Sequence, residues 1–299
     1  MSDQTKRFAP VFIIAAAILW GLDGILRRSL FELPPIIIVF YEHLIGALLI
    51  APFLIKGLRG EAFSLKEKSA LVWVSILSGV LGTLWFTTAL LKTNFIPFSV
   101  VFLLQKLQPL FAITAGSIIL KEKLNPSYIK WAIIALISAY FVTFPGGVVN
   151  FDTGPETIIA AMFAIGAALA WGSSTALSRY TLLKHSQTVV TGLRFMLTTF
   201  FAGIAVLILG ETDQLFILNA SHFSKLLLIA VSTGMVALWL YYKGLKHTKV
   251  QVATILELIF PMTAVFIDIF VYHNFLDLSQ YLAAAFLLFS IHRISKTTS

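Results

Sequence analysis

Residues 97–119 read PFSVVFLLQKLQPLFAITAGSII. Lys106 is the only charge in this stretch, and its apolar side chains run all the way round rather than along one stripe. An apolar run of about 18 residues or more is long enough to cross the hydrocarbon core of a bilayer as a helix. Strands of a membrane barrel would be about ten residues of strict alternation, so the helix is the reading. The same texture recurs at roughly 9–28, 35–55, 70–91, 127–145, 157–179, 187–209, 223–243, 250–272 and 278–295, which makes ten predicted spans. Between them stand loop signals: Leu33-Pro34-Pro35, Gly57-Leu58-Arg59-Gly60, Asn125-Pro126, Pro145-Gly146-Gly147 and Gly154-Pro155. Nothing is left over for a soluble domain. The first apolar stretch continues as a span with no small-residue cleavage site after it, so MSDQTKRF does not read as a signal peptide.

Composition agrees. Of 299 residues, 58% are hydrophobic and 12% charged, with a mean hydropathy of +0.90. Soluble domains run at about 45–50% apolar and about 25% charged, so a soluble enzyme and a disordered chain are both excluded. There is no cysteine, which removes disulfides, thiolate metal sites and thiol nucleophiles. The net charge of +8 is explained by topology. With a cytoplasmic N-terminus, the inside segments and span ends carry Lys6, Arg7, Lys56, Arg59, Lys66, Lys68, Lys121, Lys123, Lys130, Arg179, Lys184, Lys243, Lys246, Lys249, Arg293 and Lys296. The outside ones carry only Arg27, Arg28, Lys92 and Lys225, while Lys106 and Arg194 fall inside spans. That asymmetry predicts an inner (plasma) membrane protein with both termini cytoplasmic. The expected partners are the lipid bilayer and a small-molecule substrate, with no nucleic acid; monomer and homodimer both remain open.

The two halves resemble each other. Trp20-Gly21 matches Trp171-Gly172 at an offset of 151, as do Arg28 with Arg179 and His43 with Arg194. Leu84-Trp85 matches Leu238-Trp239 at 154, and Pro109 with Pro261 and Gln105 with Glu257 match at 152. Residues 1–149 and 150–299 thus read as two five-span repeats. Five is odd, so the second repeat enters the membrane inverted. The predicted fold is an all-α integral membrane protein, ten transmembrane helices in two inverted five-helix repeats. That architecture belongs to transporters, with a site near the midplane between halves.

The anchors resemble those of the drug/metabolite transporter superfamily, in its ten-helix EamA-type branch. A-I-L-W-G at 17–21 is echoed by A-L-A-W-G at 168–172. Residues 88–124 resemble the family's short turn, Pro-containing fourth helix and closing Leu-x-Glu-x-Leu. The second copy, Tyr242 to Leu276, keeps Pro261 but has His273-Asn274 in place of Lys121-Glu122. The resemblance implies a secondary transporter working by alternating access, with export of an amino acid or similar amphoteric metabolite favoured. An organic-cation or amine carrier is the first alternative; a lipid-binding or structural membrane protein without turnover is the second. No nucleotide-binding motif is present, so a gradient would supply the energy.

Charges at membrane depth cost at least ~2.5–3.5 kcal/mol and usually face a cavity or a partner. Lys106 and Glu257, in the two Pro-containing helices, are the leading pair: they either hold a substrate carboxylate and ammonium or bridge each other. Gln105 and Gln108 flank Lys106. Glu42 and His43 are adjacent, project about 100° apart, and are candidates for coupling or gating, with Arg194 the repeat partner of His43. Asp23 is a further gating candidate or the i, i+4 partner of Arg27. Trp20, Trp171, Trp85, Trp239 and Tyr242 are candidate cavity-lining rings. The alternative for each is plain packing. The histidines at 43, 185, 222, 247, 273 and 292 lack metalloprotease spacing. Ser173-Ser174 with His43 is the only nucleophile and base to weigh, and the expectation is no enzyme, no metal and no cofactor.

Overall fold

The computed structural model describes residues 7–92, 105, 107–123, 126–148, 156–260, 263 and 277–296. Among these residues every regular element is helical. Helix α1 is Ala9–Arg28 and α2 is Pro35–Leu58, each with proline in its first turn, where the missing N–H costs nothing. Helix α3 runs through Leu65–Val74, a wider π-helical stretch Ser75–Gly82, and Thr83–Lys92. Ser64 and Glu67 cap its start reciprocally. Helix α4 is Gln108–Ile119, α5 Pro126–Thr143, α6 Glu156–Leu182 and α7 Gln187–Leu209, the last capped by Ser186 and stopped by Gly210 at φ 72. Helix α8 joins Ala220–Ile229, a π-helical Ala230–Gly234, and Met235–Leu245. Helix α9 is Val250–Leu256 continued as a tighter turn, Glu257–Ile259, and α10 is Leu278–Lys296.

Five segments are long and apolar enough to cross a membrane: Pro35–Leu58, Leu65–Ala89, Ile159–Leu182, Gln187–Leu209 and Ala220–Leu245. Shorter apolar helices stand at the other five predicted positions. Their outer faces keep large apolar side chains uncovered, such as Leu48, Phe53, Met162 and Ile208, which suits lipid rather than water. The predicted starts of α3 and α8 shift earlier, to Leu65 and Ala220, because Ser64 and Asn219 supply caps ahead of the apolar runs. The predicted residues 97–104 of the fourth span and 264–272 of the ninth lie outside the described residues.

The packing obeys the repeat. Helix α2 lies on α7 and α5 on α10, each against its own counterpart. Helix α1 packs on α8 as α6 does on α3, and α1 meets α9 as α6 meets α4. Exchanging the halves therefore maps the neighbours onto themselves. The repeated Trp-Gly anchor explains part of this. A Cβ on Gly172 would stand 2.7 Å from the Gln108 carbonyl and 2.8 Å from Phe111 Cβ, and a Cβ on Gly21 would collide with Thr263. Phe111 and Thr263 are related by the same offset of 152 as the prolines. Both glycines thus let α1 and α6 lie directly on the α9 and α4 chains, as small residues do at helix crossings in membranes. The π-helical stretches of α3 and α8 also fall at equivalent positions.

The contacts at Gly172 include backbone atoms that cannot rotate away. Gly172→Ala is expected to lower stability by roughly 1–3 kcal/mol, as overpacking does. A Cβ at Gly203 would meet nothing nearer than Phe40 at 3.5 Å, so Gly203→Ala should be neutral or stabilising. Thermal unfolding of the detergent-solubilised variants reads the opposite signs.

Candidate functional site

A cavity of about 210 Å³ lies between the halves. A single water takes only ~30 Å³, so the space is larger than a one-water packing void. Its walls come from α1, α2, α3, α4, α6, α7, α8 and α9. The rings that face it include Trp20, Phe86, Trp171, Tyr241 and Tyr242. Trp20 lies 5.1 Å from Tyr241, and Trp171 5.3 Å from Phe86, ring centre to ring centre. The repeat-related tryptophans thus stand in the two halves of one cavity, each backed by another ring.

Polar groups are arranged in three sets. In the first, Glu257 accepts a hydrogen bond from Gln108 Nε2 at 3.0 Å and another from the Tyr241 hydroxyl at 2.5 Å. This joins α4, α8 and α9 through neutral donors. In the second, Arg194 donates to Ser78 Oγ at 2.5 Å and to the Tyr242 hydroxyl at 2.8 Å, which in turn lies 2.9 Å from Ser178 Oγ. In the third, Arg27 Nε donates to Asp23, and Arg27 Nη2 donates to Glu42 at 2.7 Å. Asp23 also accepts from the Thr233 hydroxyl at 2.5 Å.

Among the expected site residues, Glu257, Gln105, Gln108, Trp20, Trp171, Tyr242, Glu42, His43, Arg194 and Asp23 line this cavity. Trp85 and Trp239 are not among its lining residues. Trp85 packs on Gly166 in a cluster with Phe86 and Ala164. Trp239 donates to Thr188 Oγ1 at 2.9 Å, with Lys243 over its ring. Lys106 lies outside the described residues, as do Pro261 and the His273-Asn274 ending. His43 bonds the Val39 carbonyl within its own helix and lies against Phe195. Arg194 reaches across to α3 and α8 instead of holding His43. Arg27, counted with the outside span ends, is buried at 4% exposure. Its i, i+4 spacing from Asp23 was the signal for that placement. Tyr241, Ser78 and Phe86 carried no comparable signal, because each looks like ordinary span composition.

The polar ties continue beyond the cavity, toward the end where α1 begins and α10 finishes. Glu122 accepts from Arg179 Nη1 at 2.7 Å and from the Val250 amide at 3.0 Å. It thereby caps α9, whose own N-cap residue, Lys249, offers no side-chain bond. Arg179 also donates to the Thr248 carbonyl at 2.7 Å. Beside this lock, His185 bonds Glu61 and stacks on Phe63, and Lys184 pairs with Glu67 at 2.8 Å. Among the described residues no cluster of metal-ligating side chains is present.

Comparison with known proteins gives the family. The model of the EamA-like transporter family matches residues 7–144 and again 158–295. The chain belongs to that family. It is 32% identical over 289 residues to the riboflavin transporter ImpX of Fusobacterium nucleatum, covering 96% of this chain and 97% of that protein. It is 23% identical to an uncharacterized transporter of Clostridium kluyveri, over 93% and 90% of the two chains. A solved crystal structure superimposes with a TM-score of 0.76 at 16% identity, over 96% of this chain and 98% of the other. The EamA-type protein is therefore a multi-pass membrane transporter of a small metabolite, in two family repeats.

The Glu122–Arg179 pair is partly buried, with side-chain exposures of 8% and 14%. Removing one partner of such a pair strands the other and costs roughly 1–3 kcal/mol. Glu122→Met alone is expected to destabilise the EamA-type protein by that order, and adding Arg179→Met should recover part of the loss. A double-mutant cycle in chemical unfolding measures both.

Proposed function

We propose that the protein is a secondary transporter that carries a planar, polar aromatic metabolite of the riboflavin class across the inner (plasma) membrane. Alternating access around the cavity would move it, with both chain termini in the cytoplasm. The observation that carries the reading is the pair Trp20 and Trp171 on the two halves of one cavity. Rings contributed by both halves of one cavity suit a flat aromatic solute, since aromatic contacts contribute about 0.5–1.5 kcal/mol beyond burial. Gln105, Gln108, Ser78, Ser174 and Thr175 supply uncharged polar groups around them, as a flavin's carbonyls, ring nitrogens and ribityl hydroxyls require. The relative bearing the riboflavin name, at 32% identity over nearly the whole chain, supports the same class.

The termini assignment follows the excess of Lys and Arg at that end, and burial of Arg27 removes one of the few opposing charges. A second reading rests on Glu257. Its carboxylate is held by two neutral donors, an arrangement that also suits the ammonium group of an amine or amino acid. Lys106 would then take a carboxylate.

Counterflow in proteoliposomes distinguishes the two, because exchange needs no knowledge of the driving force. Isotope-labelled riboflavin, amino acids and amines are offered together. Riboflavin exchange is expected, and Trp20→Ala or Trp171→Ala should each weaken its apparent affinity about tenfold, equivalent to about 1.4 kcal/mol. Exchange of amines or amino acids without riboflavin, abolished by Glu257→Gln, would replace the flavin reading with the second.

A further inference from the structure

Two carboxylates and one guanidinium share a buried site on the cavity wall: Asp23 and Arg27 of α1 with Glu42 of α2. The set carries one negative charge too many for a place where Arg27 and Glu42 are each only 4% exposed. Three of its four carboxylate oxygens accept hydrogen bonds. Asp23 uses both, from Arg27 Nε and Thr233, and Glu42 uses Oε2, from Arg27 Nη2. Glu42 Oε1 has no hydrogen-bond donor among the described residues. It faces the π-helical stretch of α8, 3.0 Å from where a Cβ on Gly234 would stand. The Ile229 carbonyl opens onto the same point at 3.2 Å. Only glycine at 234 leaves this gap. On the other side of the set, Arg27 Nη1 is buried with no hydrogen-bond partner.

We propose that Glu42 is the proton-binding site that couples transport to a proton gradient, and that Arg27 links its charge to the substrate. The proposal rests on the transport reading above. A proton from water adds to Glu42 Oε1 and makes a neutral carboxylic acid; the same O–H bond later breaks and returns the proton to water on the opposite side. The site then becomes electrically balanced, with Arg27 against Asp23 alone. Arg27 Nη2 is released from a charged partner and, with Nη1, offers a two-pronged donor to a carbonyl of the substrate. Proton and solute therefore favour each other's binding, which gives symport. By reciprocity the solute raises the proton affinity of Glu42 by the same factor.

A sodium ion fits less well, because it needs several free oxygens and three of the four already face N–H or O–H donors. The charged and titratable groups around Glu42 are Arg27 and Asp23 from α1, His43 beside it, and Arg194 from α7, bonded to Tyr242 of α8. Facing it, α8 adds Gly234, with Thr233 bonded to Asp23, and on the same cavity wall Ser78 of α3 is bonded to Arg194; none of these three titrates. His43 holds the Val39 carbonyl at 2.8 Å within its own helix.

The experiment pairs riboflavin uptake into proteoliposomes under an imposed pH or sodium gradient with infrared titration of the purified, substrate-free protein. With one proton per neutral solute, each unit of pH gradient should concentrate riboflavin up to about tenfold, and a sodium gradient should do nothing. Glu42→Gln should lose that accumulation, and its counterflow, whatever its height, should no longer vary with pH. A titrating carboxylic-acid band should appear in the wild type, vanish in Glu42→Gln and return, shifted, in Glu42→Asp. Accumulation driven by sodium, gradient-driven uptake retained in Glu42→Gln, or an unchanged carboxylic-acid band in that variant would each overturn the proposal. If riboflavin shows no counterflow, the flavin reading fails separately, and the infrared titration still decides for or against Glu42.

Discussion

In hydrocarbon, a backbone carbonyl that loses its helical donor has no water to turn to. The cavity is built around that constraint. Helices α3 and α8 both widen into π-helical turns at equivalent points of the two repeats, which disturbs the regular i to i−4 ladder midway along each helix. At Ser78 the carbonyl is satisfied from the side, by Trp171 Nε1 at 3.2 Å and Thr83 Oγ1 at 3.1 Å. A ring on the cavity wall therefore also completes the backbone of the neighbouring helix. On α8 the equivalent stretch receives Glu42 against Gly234 and sends Thr233 to Asp23. The irregular backbone of α3 is tolerated where side chains of the cavity wall reach its carbonyl.

Charge follows the same economy. Arg27, Arg194 and Arg179 are each fixed by oxygen acceptors contributed from other parts of the chain. Arg194 donates to two hydroxyls, Ser78 and Tyr242. Arg27 is over-neutralised by two carboxylates. Arg179 is matched one to one, at the end nearer the chain's termini. Three arginines thus sit in three electrostatic settings, set by how many carboxylates reach each.

Much of this was readable in the chain. Ten apolar runs, the odd number per half and the paired Trp-Gly and Pro anchors led to the fold, because span length and repeat spacing are properties of sequence alone. The membrane-depth charges pointed to Glu42, Arg194, Asp23 and Glu257, because a charge in an apolar run is conspicuous. Direction was not readable. Trp85 and Trp239 are repeat-related as faithfully as Trp20 and Trp171, yet they pack elsewhere, since periodicity does not say which face of an all-apolar helix meets the cavity. The π-helical turns carry no mark in Ser75–Gly82 that distinguishes them from an ordinary glycine-containing span. Nor could composition show that Glu122, in the Leu-x-Glu-x-Leu that closes the fourth-helix motif, caps a helix from the other repeat.

The neighbour pattern has one more implication. In a two-fold dimer, residue i of one subunit touches j of the other and j touches i. Here α2 on α7, α5 on α10, and the matched pairs α1 on α8 and α6 on α3 reproduce that rule within a single chain. The halves meet as subunits do, through surfaces that would serve equally between separate polypeptides of opposite insertion. Joining them converts an encounter between two molecules into an intramolecular one at high effective concentration. It also guarantees one copy of each orientation in every molecule, and it frees the two surfaces to differ, so that a carboxylate can stand in one half where the other keeps a neutral side chain.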